Sequence, residues 1–183
     1  VEYNILSMPG LTERTLTKKM ITTCSDRADA LADIDVEGGY VPYTESSDTE
    51  VNRRGTVTSI VSKLKDRELD NSYGCAYYPW VQVRDNRTGQ RLWAPPSVVG
   101  VGVMGGSQSK AELWFAPAGF VRGGLTSQGN RSGAAGLKIL NVRERLSSSD
   151  RDDLYEQSVN PIAKFPSEGL VVFGQKTLQL VPS

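Results

Sequence analysis

Residues 95–110, PPSVVGVGVMGGSQSK, contain the two strings of this sequence that come nearest to catalytic or ligand-binding motifs. Gly100-Val-Gly102-Val-Met-Gly105 fits the Gly-x-Gly-x-x-Gly pattern, in which a glycine-rich turn lets the backbone approach the pyrophosphate of a dinucleotide. Ser107-Gln-Ser-Lys110 fits the Ser-x-x-Lys pattern of serine acyl-enzymes. The residues around each string decide whether either chemistry is available.

The surroundings of the glycine string differ from those of a phosphate-binding turn. A dinucleotide fingerprint needs a buried strand directly before its first glycine, but Pro95 and Pro96 occupy that place. The ribose-binding acid expected about 20 residues later is missing, because residues 117–143 contain neither Asp nor Glu. A phosphate loop also fails, since Gly105 is followed by glycine rather than lysine.

The same residues fit a packing helix. Proline suits the first turn of a helix, so we predict a helix that begins near Pro96. Glycines inside a helix need a packing reason, and we expect a neighbouring backbone to come close at Gly100 and Gly102. Gly105-Gly106 should end this helix. A small α/β nucleotide-binding or hydrolytic domain that uses Gly100–Gly105 is the alternative hypothesis.

The other candidate catalytic groups lack partners. There is no histidine, which excludes Ser-His-Asp and Cys-His catalysis within this chain, and no Ser-Asp-Asn or Lys-Thr-Gly string accompanies Ser107 and Lys110. Cys24 and Cys75 are two lone cysteines, for which reduced buried thiols are favoured over a disulfide and a zinc site is disfavoured. We therefore predict no enzyme activity, no cofactor, and no catalytic, cofactor-binding or metal-binding residues.

An acidic cluster near the C-terminus has two interpretations. Asp150, Asp152, Asp153 and Glu156 could form a cation site or an acid-base pair. Acids in a first helical turn are, however, favoured by the helix dipole, and Ser149-x-x-Asp152 approximates a capping box. The sequence therefore favours a helix capped by Ser149.

The charge pattern points to protein partners. The chain has 21 basic and 21 acidic residues, so no net field attracts nucleic acid, and no apolar run reaches the length of a membrane span. Arg84, Arg87 and Arg91 form a basic hairpin tip beside Asp85, which favours a protein over a nucleic acid. We expect complementary surface patches at three clusters: Arg14, Lys18 and Lys19; Asp26, Asp29, Asp33 and Asp35; Arg53 and Arg54.

Alternating strand and helix patterns predict one α/β domain, a mixed sheet flanked by helices. It begins as β-α-β, with strands in 1–8 and 31–36. A surface loop over 37–55 precedes a second helix that carries Val57, Ile60, Val61 and Leu64. The first helix is expected to have Thr12 as N-cap and one apolar face formed by Leu16, Met20, Cys24 and Ala28.

The residue pattern of the second half of the chain predicts mostly strands. Segments 75–85 and 90–94 read as a hairpin around NRTG, while LKILNV (137–142) fits a strand or a short helix. Residues 169–181 predict a strand, a kink at Gly174 and a second strand, TLQLV, with an exposed edge. Three aromatic residues are expected in or beside the core: Trp93, Trp114 and Phe115.

Several segments resemble the sheath proteins of contractile phage tails. LWAPPSVVGVGVMGGSQSKAELWFAPAGFVRGGL resembles the Pro-led helix, polar turn and Trp-containing Ala-Pro-Ala-Gly segment of that family. RDDLYEQSVNPIAKFPSEGLVVFGQKTL resembles its helix, Asn-Pro-Ile turn and Gly-Gln-Lys-Thr-Leu strand, and NILSMPGLT with ALADIDV resembles its first β-α-β unit. The most specific parts are Trp114–Gly119, Asn160–Ile162 and Gly174–Leu178.

The resemblance implies a structural subunit. Such sheaths form stacked hexameric rings around a tail tube and contract to drive the tube through the host envelope. The implied partners are neighbouring sheath subunits in a homo-oligomeric helical lattice, the tail tube protein, and the baseplate and tail terminator proteins. The implied location is the virion, with assembly in the host cytoplasm. Residues 1–183 are expected to be the conserved core, with the N-terminal arm, outer domains and C-terminal arm lying outside it.

Overall fold

The computed structural model describes residues 1–110, 125, 138–166 and 169–180, with the backbone alone for 107–110. Its centre is a five-stranded mixed sheet with helices on both faces, and a three-stranded sheet accompanies the helix on the second face. The predicted α/β class is confirmed. The elements are β1 (Ile5–Ser7), α1 (Arg14–Arg27), β2 (Leu31–Ile34), α2 (Glu50–Arg53), α3 (Val57–Arg67), β3 (Gly74–Tyr78), β4 (Val81–Arg84), β5 (Arg91–Ala94), α4 (Pro96–Lys110), β6 (Ile139–Val142), α5 (Ser148–Glu156), β7 (Val159–Phe165) and β8 (Gly169–Val172).

The larger sheet has the strand order β1-β2-β3-β7-β8. Its first four strands are parallel, and β8 runs antiparallel to β7. The parallel pairing of β1 with β2 across α1 confirms the predicted β-α-β beginning. The predicted hairpin is present as β4 and β5, but its first segment, 75–85, is divided into β3 and β4, which belong to different sheets. β4 and β5 form the second sheet with β6 in the order β5-β4-β6.

One face of the large sheet is covered by α1, α3 and α5. α1 and α3 each direct a narrow apolar stripe at the sheet, as the four-residue spacing of Met20 and Cys24 and of Ile60 and Leu64 predicts, and α5 contributes Leu154. Alternate residues of the strands meet these stripes. The resulting core contains Met20, Ile21, Cys24, Ala32, Ile34, Ile60, Leu64, Ala76, Tyr78, Leu154, Val159 and Leu178.

The opposite face is covered by α4 and the three-stranded sheet. α4 contacts β1, β2 and β3, while β6 contacts β7. The first part of α4 is mostly apolar, and its Val99 and Val103 are buried in the core on this face. This second core contains Cys75, Tyr77, Val81, Val99, Val103, Leu125, Ile139, Val142, Ile162, Leu170 and Val172.

Two helix starts differ from the prediction. The side chain of Glu13, rather than Thr12, caps α1 by accepting hydrogen bonds from the backbone N–H groups of Thr15 and Leu16. Ala28 lies just past the helix end in a left-handed conformation and is exposed, so it does not extend the apolar face. At α5 the N-cap is Ser147 and not Ser149.

The bounds of other elements also differ from the prediction. α4 continues through Gly105-Gly106 to Lys110, and a short helix, α2, lies within the predicted loop. LKILNV is resolved as a strand, β6. TLQLV is not a strand over its described residues 177–180: Leu178 is buried, and its N–H donates to the carbonyl of Gly74.

The outcome at the cysteines and aromatic residues is mixed. Cys24 and Cys75 are free and buried, as predicted. Trp93 is half-buried beside the second sheet, where its ring lies 6.2 Å from that of Tyr40. Trp114 and Phe115 lie outside the described residues. None of the helices in the described part of the chain is both long and apolar enough to cross a membrane.

Candidate functional site

The carboxyl ends of the parallel strands are where an open α/β sheet ordinarily binds a ligand. Here that position holds the start of α4. Asp35, directly after β2, accepts hydrogen bonds from the N–H of Gly10 at 2.8 Å, the N–H of Ser97 at 3.1 Å and the hydroxyl of Ser97 at 2.6 Å. The Asp35 carboxyl thus satisfies a free N–H at the α4 N-terminus. The crevice expected to receive a ligand is filled by the protein's own helix.

The glycine string lies inside this helix, so it does not form the strand-to-helix turn of a phosphate site. A Cβ at Gly100 would stand 2.3 Å from Oδ2 of Asp33 and 2.5 Å from Cε2 of Tyr77. The predicted packing role is therefore confirmed at Gly100, although the close neighbours are side chains and not the expected backbone. At Gly105 a Cβ would have no neighbour within 4 Å.

Asp33 and Asp35 do not belong to a surface patch, contrary to the expectation from their charge. Both are buried, with 0% and 2% of their surface exposed. The physical reason is strand alternation: these two residues share the face of β2 that meets α4, whereas Ala32 and Ile34 face the opposite core. Acids at every second position of an apolar strand were the available signal. Asp26 and Asp29 remain exposed.

The two buried acids differ in their partners. Burial, followed by the charge of Asp35, raises the pKa of Asp33 well above its ordinary range, and neither of its oxygens has a hydrogen-bond partner among the described residues. Burial also raises the pKa of Asp35, while its hydrogen bonds from Ser97 and Gly10 oppose this shift. Burial therefore favours the neutral form of the Asp33 carboxyl, which lies in the interior beside Gly100.

The other sequence candidates are not brought together. Asp150 accepts from the N–H and the hydroxyl of Ser147, which completes a capping box and lowers its pKa, whereas Asp152, Asp153 and Glu156 are exposed on α5. Within the described residues, no group of three or more Cys, Asp or Glu side chains is arranged to hold a metal ion. The side chains of the Ser-x-x-Lys string lie outside the described part.

No protein-family profile matches the chain. Individual sequences do. The tail sheath protein of Enterobacteria phage T4 is 23% identical over 143 residues, which cover 78% of this chain and 20% of that protein. The tail sheath protein of Salmonella phage ViI is 29% identical over 137 residues, covering 74% and 20%. This chain resembles tail sheath proteins. It spans about a fifth of the length of these sheath relatives.

Solved sheath structures share the fold. The contracted sheath of the extracellular contractile injection system PVC superposes with a TM-score of 0.64 at 19% identity, covering 98% of this chain and 41% of that one. The contracted helical sheath of the anti-feeding prophage gives a TM-score of 0.59 at 18% identity, covering 97% and 42%. The described fold is thus that of a sheath domain.

Of the three segments that most specifically resemble sheath proteins, two are in contact with each other: Asn160–Ile162 and Gly174–Leu178. The side-chain amide of Asn160 donates to the carbonyl of Lys176 at 2.8 Å and accepts from the N–H of Lys176 at 2.7 Å. A Cβ at Gly174 would stand 2.7 Å from Oδ1 of Asn160, which explains a glycine there. Asn160–Ile162 and Gly174–Leu178 therefore act as one structural unit. The third segment, Trp114–Gly119, lies outside the described residues.

Proposed function

We propose that residues 1–183 form the conserved core of a contractile sheath subunit, which assembles in stacked hexameric rings around a tail tube. Contraction of these rings drives the tube through the host envelope. The observation that carries this proposal is the similarity to phage tail sheath proteins over about three quarters of the chain. The chain spans about a fifth of the length of those relatives. The proposal therefore concerns one part of a subunit, and the function of the whole assembly is extended to it.

The geometry at α4 supports a structural role. A nucleotide-binding or hydrolytic domain would need an open crevice beyond β1, β2 and β3, and Ser97 fills the space beside Asp35 there. We infer that the chain has no catalytic, cofactor-binding or metal-binding residues and is not an enzyme. Its partners are then neighbouring sheath subunits, the tail tube protein, and the baseplate and tail terminator proteins, in the virion and, during assembly, in the host cytoplasm.

Electron microscopy of the natural gene product that contains this chain tests the assembly. Expression of that product should yield striated tubes of uniform width. Only unassembled particles under conditions that preserve the folded core would contradict the proposal.

Calorimetric titration tests the nucleotide-binding alternative. Titration of the 183-residue chain with NAD, ATP or GTP should give no saturable heat, because the α4 N–H groups after the first turn are bonded within the helix. A saturable heat abolished by Gly102→Val but retained in Gly105→Val would instead establish a glycine-dependent nucleotide site.

A further inference from the structure

The hairpin between β4 and β5 carries an unusual concentration of positive charge. Arg84 and Arg91 are directly opposite each other in the β4–β5 register, and Arg87 lies in the turn between them. All three side chains are exposed, and none forms an ion pair within the described part of the chain. Like charges directly opposite on neighbouring strands are destabilising. We call residues 84–91 the basic hairpin tip.

The one acid within this tip is already engaged. Asp85 accepts hydrogen bonds from the N–H of Arg87 and the hydroxyl of Thr88, both at 2.8 Å, and these bonds lower its pKa. Its carboxylate is therefore directed into the turn. Next to the arginines, the side chain of Leu92 is 48% exposed. The tip thus presents net positive charge, three arginines against one ionised carboxylate, beside an apolar residue.

A second surface has the opposite character. Residues 42–49, which we call the acidic loop, expose Glu45 and Asp48, and neither forms an ion pair within the described residues. Tyr43 in the same loop is 77% exposed. The acidic loop therefore pairs negative charge with an apolar ring.

The acidic loop is held in a defined shape. The N–H of Val41 donates to the carbonyl of Arg53 at 2.8 Å, and the guanidinium of Arg53 donates to the carbonyls of Val41 and Asp48, each at 3.1 Å. At its neck, a Cβ on Gly55 would stand 2.4 Å from the carbonyl carbon of Gly39, so the two ends of the loop meet tightly. A preorganised loop loses little conformational entropy on binding.

We propose that the basic hairpin tip of one copy of this chain binds the acidic loop of a second copy. The two surfaces are complementary in charge, each carries an exposed apolar residue, and neither finds its complement within its own described molecule. Because the surfaces differ, the contact is head-to-tail and propagates from copy to copy, which yields a closed ring or an open helical array. This inference rests on the proposed function, for which it identifies one subunit contact.

Reciprocal charge reversal tests the pairing. The tip variant carries Arg84→Glu, Arg87→Glu and Arg91→Glu, and the loop variant carries Glu45→Lys and Asp48→Lys. All five positions are exposed, so both variants should fold, which circular dichroism and melting curves verify. Self-association is measured by static light scattering of the 183-residue chain up to about millimolar concentration, where contacts of a few kcal/mol become visible.

The wild-type chain should show a concentration-dependent rise in apparent mass at about 0.01 M salt. The rise should disappear at about 1 M, where the screening length falls from about 30 Å to about 3 Å. Each variant alone should lose the rise, because its tip and loop carry the same sign. An equimolar mixture should regain at least the wild-type rise, since both cross-contacts are then complementary.

The matched control carries Lys18→Glu, Lys19→Glu and Lys65→Glu, three exposed changes that alter net charge as the tip variant does. Because this control keeps the tip and the loop unchanged, on its own it should retain the concentration-dependent rise that the tip variant loses. Loss of the rise in the control as well as in the tip variant would overturn the pairing, as would a wild-type chain without salt-sensitive association. If the natural gene product still formed tubes when it carried the three tip changes, the proposed contact would be wrong and the proposed sheath function would stand. Absence of tubes from the unmodified product would count against the sheath function. The pairing of tip and loop is tested independently, by the self-association measured with light scattering.

Discussion

The two faces of the five-stranded sheet are covered in different ways. On one face, α1, α3 and α5 pack apolar side chains against the sheet, and the buried hydroxyl of Thr17 on α1 accepts a hydrogen bond from Arg67 at 2.7 Å. On the other, α4 meets β2 across two buried aspartates, of which Asp35 is hydrogen-bonded to Ser97 and Asp33 has no hydrogen-bond partner among the described residues. The first face is held mainly by apolar burial, whereas the second depends on close fit at Gly100 and on hydrogen bonds at Ser97.

This contrast indicates where the molecule tolerates change. Apolar helices over an apolar sheet accept substitutions that conserve volume. A helix that lies against a buried carboxyl group does not tolerate substitutions that add atoms or remove a hydrogen-bond donor. Either change displaces the carboxyl group or leaves it without a hydrogen bond, which is unfavourable for a buried polar group. The following predictions test this difference, from the largest expected effect to the smallest.

Gly100→Ala should reduce the free energy of unfolding by about 2–4 kcal/mol, because the new Cβ would overlap Asp33 and Tyr77. The matched change Gly105→Ala, in the same helix with open space around it, should stabilise by up to about 1 kcal/mol through helix propensity. Urea denaturation measures both. Equal effects of the two substitutions would show that α4 does not lie tightly on β2.

Ser97→Ala should lower stability by about 1.5–3 kcal/mol, because it removes the 2.6 Å hydrogen bond to the buried carboxyl of Asp35. The measurement is again urea denaturation. A Ser97→Ala protein as stable as the wild type would mean that the N–H groups of Ser97 and Gly10 suffice for Asp35.

Asp33→Asn should stabilise the protein increasingly as the pH rises. Because burial raises the pKa of Asp33 in the folded state, the stability it contributes is complete below the unfolded pKa of about 4 and is lost as the pH rises toward the folded pKa. Asparagine is neutral throughout. Melting temperatures should therefore nearly coincide near pH 4 and diverge toward pH 8, by about 3–5 °C for each pKa unit of the shift. A pH-independent difference would contradict a raised pKa of Asp33.

Ser147→Ala should cost about 1 kcal/mol, since Ser147 is the N-cap of α5 and forms a capping box with Asp150. Ser149→Ala, two residues later and inside the helix, should be nearly neutral. Thermal melts of the pair decide between the two capping assignments. A larger loss for Ser149→Ala would restore the assignment made from the sequence.

Much of the first face could be predicted from the sequence, because four-residue spacing in α1 and α3 is a local property of the chain. The caps could not be chosen in the same way. Thr12 and Glu13, or Ser147 and Ser149, are both acceptable capping residues close to the right place. Only the path of the backbone entering each helix decides which side chain reaches the free N–H groups.

The sequence by itself determined the β-α-β beginning, the absence of histidine chemistry, the unsuitability of Gly100–Gly105 for a phosphate, and the resemblance to sheath proteins. Each depends on residue identity and spacing along the chain. The tertiary structure alone decided that Ser97 is the donor to the buried carboxyl of Asp35 and that Asn160 holds Lys176. These contacts join residues from 16 to 62 positions apart. No local pattern encodes them, because burial of a polar group depends on which distant donor the fold brings to it.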